Sequence, residues 1–393
     1  MEKRVAIVPC PDYAPENIKR ALNSAIEASG GLGWVRPGMR VAVKTNLVSR
    51  MKPESAAVTH PALVAELCRT LTALGAEVVV GDSPGGPYNS AWVNGVYSGT
   101  GIRAVEEAGA KLNEDFSTRE VDFPAGRVAK HFPLTAWLLE ADAVIDFAKL
   151  KTHAMAGMTC AVKNFFGAIP GTRKPEFHYA YPRTADFCGM LVDLCEYISP
   201  RLTIVDAVEC MEGNGPTQGT PRHMGALIAS PSPYAADLLC SHLIGFEARD
   251  VATVAAAIDR SLCPPGWEEL DISGDIAPFL APDFEKMPTE GEITFENKPK
   301  LFRFVLERGF CIKVCPLKAI EIIRGIMAQV DPEKCVGCGR CREVCPAGAA
   351  QVKNKKAAIN RSKCIRCFCC QEFCPKGAIT SRRPALARIA AKL

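Results

Sequence analysis

The sequence has no apolar run of the roughly 18 residues that a membrane-spanning helix needs. The apolar stretch near its N-terminus, within RVAIVP, is too short for a signal peptide. We therefore expect a cytoplasmic protein with no membrane span. The net charge is only +4 over 393 residues, and no helix-turn-helix, zinc-finger or RNA-binding signature is present. We therefore expect no nucleic-acid partner.

Two common cofactor motifs are also missing. No GxGxxG follows a predicted strand, and the sequence contains no GxxxxGK[ST]. These absences exclude the usual nicotinamide or flavin fingerprint and the loop of nucleotide-hydrolysing enzymes. Electrons would then arrive from an external redox protein, although a flavin held by an unfamiliar loop stays an alternative.

Cysteine, by contrast, is abundant: the chain has 19, and nine of them fall between Cys335 and Cys374. Cytosolic thiols are kept reduced, so this clustering indicates metal binding rather than disulfides. The pattern Cys-x2-Cys-x2-Cys-x3-Cys-Pro begins at Cys335 and again at Cys364. Three thiolates at such gaps wrap one face of a 4Fe–4S cubane, and the fourth reaches the neighbouring cubane.

The sequence therefore predicts two 4Fe–4S clusters with crossed ligands. The first set is Cys335, Cys338, Cys341 and Cys374, and the second is Cys364, Cys367, Cys370 and Cys345. Structural zinc is the alternative, because four-cysteine zinc sites also use CxxC pairs. Zinc sites need neither the third cysteine at the same gap nor the duplication. The segment resembles the two-cluster bacterial ferredoxins over its whole length, which implies electron transfer.

A partial third copy precedes the two complete motifs. Cys311 and Cys315 match the last two cysteines, including the following proline, but Val305 and Arg308 occupy the places of the first two. A third cluster would need other ligands, such as Cys10, Cys160 or Cys369, or open iron positions. We favour a degenerate repeat whose cysteines pack as small apolar side chains.

Residues 1–276 alternate short β-branched apolar runs with helical patterns, which predicts an α/β domain with a mainly parallel sheet and flanking helices. Thr59 is a candidate N-cap for a helix starting at Pro61. A Pro-rich linker or arm is expected at 277–300. A small α+β ferredoxin-like domain with the degenerate leading repeat is expected at 301–380, followed by a basic tail at 381–393.

Polar segments follow four of the predicted strands, and the carboxyl ends of parallel strands usually border a ligand crevice. Catalytic roles are predicted for His153, His178, Lys151 and Lys163. Substrate binding is predicted for Lys44, Asn46, Asp82, Lys149, Asn164, Asp206, Glu212 and Asn214. Each segment alone is also ordinary turn chemistry. Together, the lysines favour an anionic small-molecule substrate such as a carboxylate or phosphate.

The strings GDSPGG, KLKTHAMAGMTCAVKNFFGAIPGTRK and IVDAVECMEGNGPTQGTPR resemble the domain-of-unknown-function family 362. The resemblance covers roughly residues 1–270. Members of that family often carry a C-terminal ferredoxin domain, which implies the same domain arrangement here. The family's activity is generally unassigned, so the resemblance implies no substrate.

Three functions follow from these observations. The leading hypothesis is a ferredoxin-fused reductase that passes single electrons from an external low-potential donor to an anionic small molecule. In it, the lysines hold the anion and His153 or His178 supplies protons. The second is a carrier or adaptor that docks a partner enzyme, and the third is a metal- or cofactor-assembly factor.

Overall fold

The computed structural model describes residues 1–286 and 327–382. The chain divides into two compact units, Met1–Lys286 and Met287–Leu393. The first unit continues ten residues beyond position 276, because Phe279, Ala281 and Phe284 are buried in its core. Residues 287–300 of the predicted linker and 383–393 of the predicted tail lie outside the described residues.

The first unit contains eleven strands in its described residues. They are β1 (Arg4–Pro9), β2 (Arg40–Thr45), β3 (Glu77–Gly81), β4 (Lys111–Leu112), β5 (Thr118–Asp122), β6 (His131–Thr135), β7 (Ala143–His153), β8 (Gly157–Thr159), β9 (Leu202–Glu212), β10 (Thr220–Ser230) and β11 (Asp271–Ser273).

Ten helices connect these strands. They are α1 (Pro15–Ala28), α2 (Pro61–Ala73), α3 (Ser90–Thr100), α4 (Ala104–Glu107), α5 (Ala136–Leu139), α6 (Ala161–Asn164), α7 (Lys174–Ala180), α8 (Thr184–Ile198), α9 (Pro233–Leu243) and α10 (Ala252–Asp259). Short 3-10 turns add Pro53–Ser55, Phe165–Ala168, Ala248–Asp250, Trp267–Glu269 and Ala277–Phe279.

Nine of the strands form one mixed sheet in the order β11-β1-β10-β9-β7-β2-β3-β4, with β8 paired to β7. The pairs from β9 through β4 and the pair β1–β11 are parallel. Strand β10 runs antiparallel to both β1 and β9. The predicted α/β class with a mainly parallel sheet is confirmed, and β10 makes the sheet mixed.

The central strands are buried on both faces. Every residue of β7 is buried, as are all residues of β2 except Arg40. Near-continuous apolar runs are typical of parallel strands covered by helices on both sides. Because β2, β3, β7 and β9 are mutually parallel, their carboxyl ends meet at one edge of the sheet. The polar segments were expected to follow the strands, but Lys149, Lys151 and His153 lie within β7 and Asp206 lies within β9.

Helix α2 starts at Pro61 as expected, but the predicted N-cap was wrong. His60 is the N-cap, and its Nδ1 accepts a hydrogen bond from the Ala62 N–H at 3.3 Å. The Thr59 hydroxyl instead accepts from the Asn46 N–H and donates to the Phe147 carbonyl. Thr59 therefore ties the loop after β2 to β7, which is a tertiary role that local sequence does not reveal.

The second unit is small. Its described part contains β12 (Met327–Val330), α11 (Arg340–Glu343), β13 (Ala350–Lys353), β14 (Lys356–Ile359), α12 (Cys369–Glu372) and β15 (Ile379–Arg382). Strands β12 and β15 form one antiparallel pair and β13 and β14 another. This is the small α+β arrangement that the sequence predicted. Across residues 1–286 and 327–382, no helix is both long enough and apolar enough to cross a bilayer.

Asp193 on α8 anchors a loop of the first unit. Its carboxylate accepts hydrogen bonds from the backbone N–H groups of Arg127, Val128 and Ala129 and pairs with Arg260 at 2.6 Å. We expect Asp193→Ala to lower the free energy of unfolding by about 3 kcal/mol, because it leaves a buried guanidinium with only Glu196 as its acid partner. Urea denaturation followed by tryptophan fluorescence reports on this unit, which contains all four tryptophans.

The matched control is Asp186→Ala on the same helix. Asp186 pairs with the exposed Arg183, and exposed pairs contribute less than about 1 kcal/mol. Equal losses in the two variants would contradict the assigned role of Asp193.

Candidate functional site

The first predicted ligand set surrounds one cavity of the second unit. Cys335, Cys338, Cys341 and Cys374 all line this cavity. The first three come from the loop before α11 and from α11 itself, and Cys374 follows α12 in the other motif. The turn is shaped by Gly337, whose φ is +69° and whose added Cβ would lie 2.2 Å from the Lys355 carbonyl oxygen. The fold thus brings together the four cysteines that crossed ligation requires.

The second set surrounds a second cavity of the same unit. Cys364, Cys367, Cys370 and Cys345 line it, and Cys345 comes from the first motif. Each cavity therefore receives three cysteines of one motif and the fourth cysteine of the other. The local motif spacing and the pseudo-repeat are sufficient to produce this crossing.

Backbone N–H groups point at several of these sulfurs. Ala349 and Ala350 donate to Cys345 Sγ at 3.1 and 3.3 Å, and Ala357 donates to Cys335 Sγ at 3.3 Å. Ala378 donates to Cys374 Sγ at 3.2 Å. Hydrogen bonds of this kind stabilise thiolates and tune the reduction potential of an iron–sulfur cluster. These cavities thus fit a polynuclear cluster held by thiolates.

The arrangement differs from a site for one metal ion. Among the residues that the structure describes, no three His, Cys, Asp or Glu side chains converge as a single ion would require. The cysteines instead stand around cavities, which suits a cubane better than zinc. Cys311 and Cys315, the candidates for a third cluster, lie outside the described residues.

Cys369, which sequence analysis considered as a ligand of a third cluster, contacts the predicted ligand Cys367. It is fully buried on α12, and a hydrogen bond from its thiol lowers the pKa of Cys367. The same contact, followed by burial, raises the pKa of Cys369 well above its ordinary value. Sequence spacing alone gave no signal for this contact.

A buried ion pair lies at the carboxyl edge of the first unit's sheet. Lys44 Nζ at the end of β2 lies 2.8 Å from Asp82 Oδ1, just after β3, and the Lys44 side chain is fully buried. Asp82 Oδ2 also accepts from the Leu47 N–H. Gly167 packs against this pair so closely that a Cβ there would lie 2.0 Å from Asp82 Oδ1. The pair is an interior element and not part of an open crevice wall.

A chain of amides extends from this pair. Asn164 Oδ1 accepts from Lys44 Nζ and from Asn46 Nδ2, and Asn164 Nδ2 donates to Asp146 Oδ1 at 2.7 Å. Asn46 Oδ1 accepts from Lys151 Nζ at 2.9 Å, and the same ammonium donates to the Ala57 carbonyl. Burial raises the pKa of Asp146 well above its ordinary value. Sequence reasoning missed Asp146 because it lies within a strand.

Lys149 and Asp206 form a second buried ion pair. Their Nζ and Oδ2 atoms are 2.7 Å apart. The Tyr13 hydroxyl donates to Asp206 Oδ1 and accepts from Lys149 Nζ, and its ring stacks on His60 at 3.6 Å between centroids. Tyr13 was also missed. It follows β1, whose carboxyl end reaches the same edge, so the PCPDY segment after that strand was the available signal.

The predicted catalytic residues are close neighbours. The pKa of His153 lies well below its ordinary value. Burial is the largest cause, followed by electrostatic interactions with Lys163, His178 and Lys151 in that order. His153 Nδ1 accepts from the Met155 and Ala156 N–H groups, so its neutral ring carries the proton on Nε2. Burial, with Lys163 and Lys174 nearby, lowers the pKa of His178 to about 3.

Lys163 and Lys174 both face the Phe166 ring, at 5.9 and 5.5 Å from its centroid. Lys174 also donates to the Ser83 carbonyl, in the loop after β3. Phe166 packs edge-on against His178 at 5.4 Å. Lys174 was absent from the predicted site, although it is the last residue of the string KLKTHAMAGMTCAVKNFFGAIPGTRK that carries the family resemblance.

The last two predicted residues are placed at the end of β9. Glu212 accepts from the Glu285 N–H and lies 3.9 Å from Arg222, so it is paired away from the lysines. Asn214 Nδ2 donates to Gln218 Oε1 at 3.4 Å. Thr152 Oγ1 on β7 reaches the Gly213 carbonyl at 2.9 Å, which attaches this loop to the strand that carries Lys151 and His153.

The packing of Gly167 on the ion pair gives a direct prediction. We expect Gly167→Ala to lower the free energy of unfolding by about 1–3 kcal/mol, because the new methyl group forces Lys44 and Asp82 apart. Tryptophan fluorescence in urea measures the change. Gly95→Ala on α3 is the control, since nothing lies within 4 Å of its added Cβ and alanine favours a helix. An unchanged Gly167→Ala stability would contradict the close packing.

Comparisons with known proteins agree with this division. Residues 41–242 match the family described as domain of unknown function DUF362, and residues 327–375 match a 4Fe–4S dicluster domain. The C-terminal region is thus ferredoxin-like, and electron transfer through iron–sulfur clusters is its function. An uncharacterised ferredoxin of Methanocaldococcus jannaschii is 40% identical over 57 residues, which is 14% of this chain and 37% of that protein.

A solved structure, the lactate racemase apoprotein from Thermoanaerobacterium thermosaccharolyticum, aligns with a TM-score of 0.40 and 10% identity. The alignment covers 62% of this chain and 57% of that one.

A thylakoid-associated protein of Synechocystis is 33% identical over 276 residues, which is 68% of this chain and 83% of that relative. Taken with the family match across residues 41–242, this similarity shows that the chain belongs to the DUF362 family.

Proposed function

We propose that the protein is a ferredoxin-fused reductase. An external low-potential donor supplies single electrons, and an anionic small molecule receives them at the carboxyl edge of the first unit's sheet. When bound, two 4Fe–4S clusters supply one-electron storage and transfer. The observation that carries the proposal is the pair of crossed four-cysteine cavities on a chain whose other unit gathers lysines at a single sheet edge.

The first unit's residues divide into two groups by their contacts. Lys44 and Lys149 each contact a buried carboxylate, so their charge stabilises the fold and orients the edge. Lys151, Lys163 and Lys174 lie around His153, His178 and Phe166. In our proposal this second group produces the positive potential that holds an anion and favours the charge added on reduction.

The histidines have a different role in this proposal from the one expected from sequence. Their pKa values lie far below 7, so both rings are neutral near physiological pH. A neutral ring offers a hydrogen bond and not the proton of an imidazolium. We therefore assign His153 Nε2–H to hydrogen bonding of the substrate. Proton delivery by an imidazolium would require a pH well below neutrality.

Crossed ligation is tested by counting iron. Fully loaded protein should contain about eight iron atoms per chain. Cys335→Ala and Cys374→Ala should each remove one centre's iron, and the double variant should lose no more than either single variant, because both residues line one cavity. Iron analysis of anaerobically prepared protein provides the count.

The matched comparison is the double variant Cys335→Ala with Cys345→Ala. It should lose the iron of both centres, because these two residues line different cavities. Cys263→Ala, in the core of the first unit, should leave the count unchanged. Cumulative loss in the Cys335, Cys374 pair would refute the crossing, and stoichiometric zinc in place of iron would refute the clusters.

The anion site is tested by reoxidation. Reduced protein, separated from its reductant, is mixed anaerobically with a panel of small carboxylates and phosphoesters, and the return of cluster absorbance is followed. We expect at least one anion to reoxidise the protein, and Lys163→Met to slow that reaction by about tenfold, because one cation–anion contact is lost.

Lys19→Met on the exposed face of α1 is the control and should react as the parent does. The parent protein and the Lys163→Met and Lys19→Met variants must have equal iron content for the rates to be compared. If Lys163→Met and Lys19→Met are reoxidised at the same rate, Lys163 is not part of the anion site. Failure of every anion to reoxidise the parent would favour the carrier or adaptor function.

A further inference from the structure

The described part of the second unit is strongly basic. Residues 327–382 contain eleven Lys and Arg but only four Asp and Glu. Two loaded centres, each with four thiolates around a 2+ core, would still leave the region cationic by about three charges. Such an excess raises the local concentration of negatively charged partners and accelerates their encounter.

Three of these lysines lie near one predicted ligand. Cys338 is the exposed cysteine among the eight predicted ligands, and the neighbouring Val336 is 59% exposed. Lys334 precedes Cys335 and is exposed, Lys355 contacts Gly337 through its backbone, and Lys376 lines the cavity that contains Cys338. We define Val336, Cys338, Lys334, Lys355 and Lys376 as the Cys338 face.

Few acidic groups offset these lysines. Asp331 lies 4.0 Å from Lys334, and Glu333 is exposed beside it. Glu343 is paired with Arg340 at 3.0 Å. Lys356 is a further cation, but its Nζ donates to the Cys335 carbonyl at 2.7 Å and so supports the ligand loop. The Cys338 face thus presents an apolar centre next to a cluster ligand, with a cationic rim.

We propose that the Cys338 face docks an acidic one-electron carrier protein, and that electrons enter the chain there. This inference rests on the proposed function, since it names the chemical class of the donor and its point of entry. Val336 supplies the small desolvated contact, and the lysine rim supplies steering and orientation. The exposed ligand minimises the distance between the carrier's redox group and the centre.

The redox step balances without a further reactant. An anionic flavin hydroquinone in the carrier loses one electron and becomes the neutral semiquinone. The centre held by Cys335, Cys338, Cys341 and Cys374 gains that electron. No bond forms between the proteins, and no proton crosses the interface.

The test uses the full-length, iron-loaded chain and a reduced acidic flavodoxin as the probe. Lys334→Glu with Lys376→Glu changes the Cys338 face by four charge units. Arg361→Glu with Lys363→Glu makes the same change beside Cys364, at the other centre. Stopped-flow absorbance gives the second-order rate constant for cluster reduction at several salt concentrations, and titration calorimetry with oxidised flavodoxin gives binding.

We expect the Lys334, Lys376 pair to lower the rate constant by about tenfold or more at low salt, to weaken binding and to flatten the salt dependence. The Arg361, Lys363 pair should change the rate less than about twofold. The cationic methyl viologen radical should reduce both variants no more slowly than the parent. That result would show that the centres themselves are intact.

Equal slowing of cluster reduction in the two double variants would overturn the proposal, because the net charge of the protein would then explain the effect. A larger effect of the Arg361, Lys363 pair would place entry at the other centre and overturn it too. A short DNA duplex that binds more tightly than flavodoxin and needs the same two lysines would also overturn it. Cluster reduction is measured before any anion is added, so failure of the reductase function leaves these outcomes unaffected.

Discussion

The first unit depends on one constraint, which is that its α/β core contains lysine side chains. Lys44 and Lys149 are fully buried, and each contacts a carboxylate at hydrogen-bonding distance. An uncompensated buried charge costs several kcal/mol, so Asp82 and Asp206 must be in place before the strand ends can pack. The loop after β3, which carries Asp82, is therefore fixed by electrostatics as well as by apolar contacts. Gly167 completes the arrangement, because only a residue without a side chain can cover the Lys44–Asp82 pair.

Much of the architecture follows from local sequence. The apolar runs that predict the α/β domain correspond to β1, β2, β3, β7, β9 and β10, because the buried parts of these strands are largely apolar. The antiparallel direction of β10 could not be read from its composition, since direction is set by the connection and by pairing with β1 and β9. The N-cap of α2 could not be predicted from local sequence either. Thr59 forms hydrogen bonds with Asn46 and Phe147, which are distant in sequence, and His60 caps the helix instead.

The two candidate sites differ in how far sequence reasoning reached them. The cysteine cavities are lined by residues of a short repeated motif, so which cysteines share a cavity could be predicted from spacing. The polar edge depends on partners far apart in the chain, such as Lys44 with Asn164 or Lys149 with Tyr13. Residue type and strand position placed these lysines at one edge. Their burial, and the neutral state of His153 and His178, follow only from the packed environment.

The solvent exposure of Cys338 makes the two four-cysteine cavities unequal toward oxidants. An accessible cysteine sulfur can be approached by an oxidant, and the other seven predicted ligands are at least partly covered. The opening through which we propose that electrons enter therefore also admits oxidants to a predicted ligand. In the other cavity, by contrast, all four predicted ligands are at least partly covered.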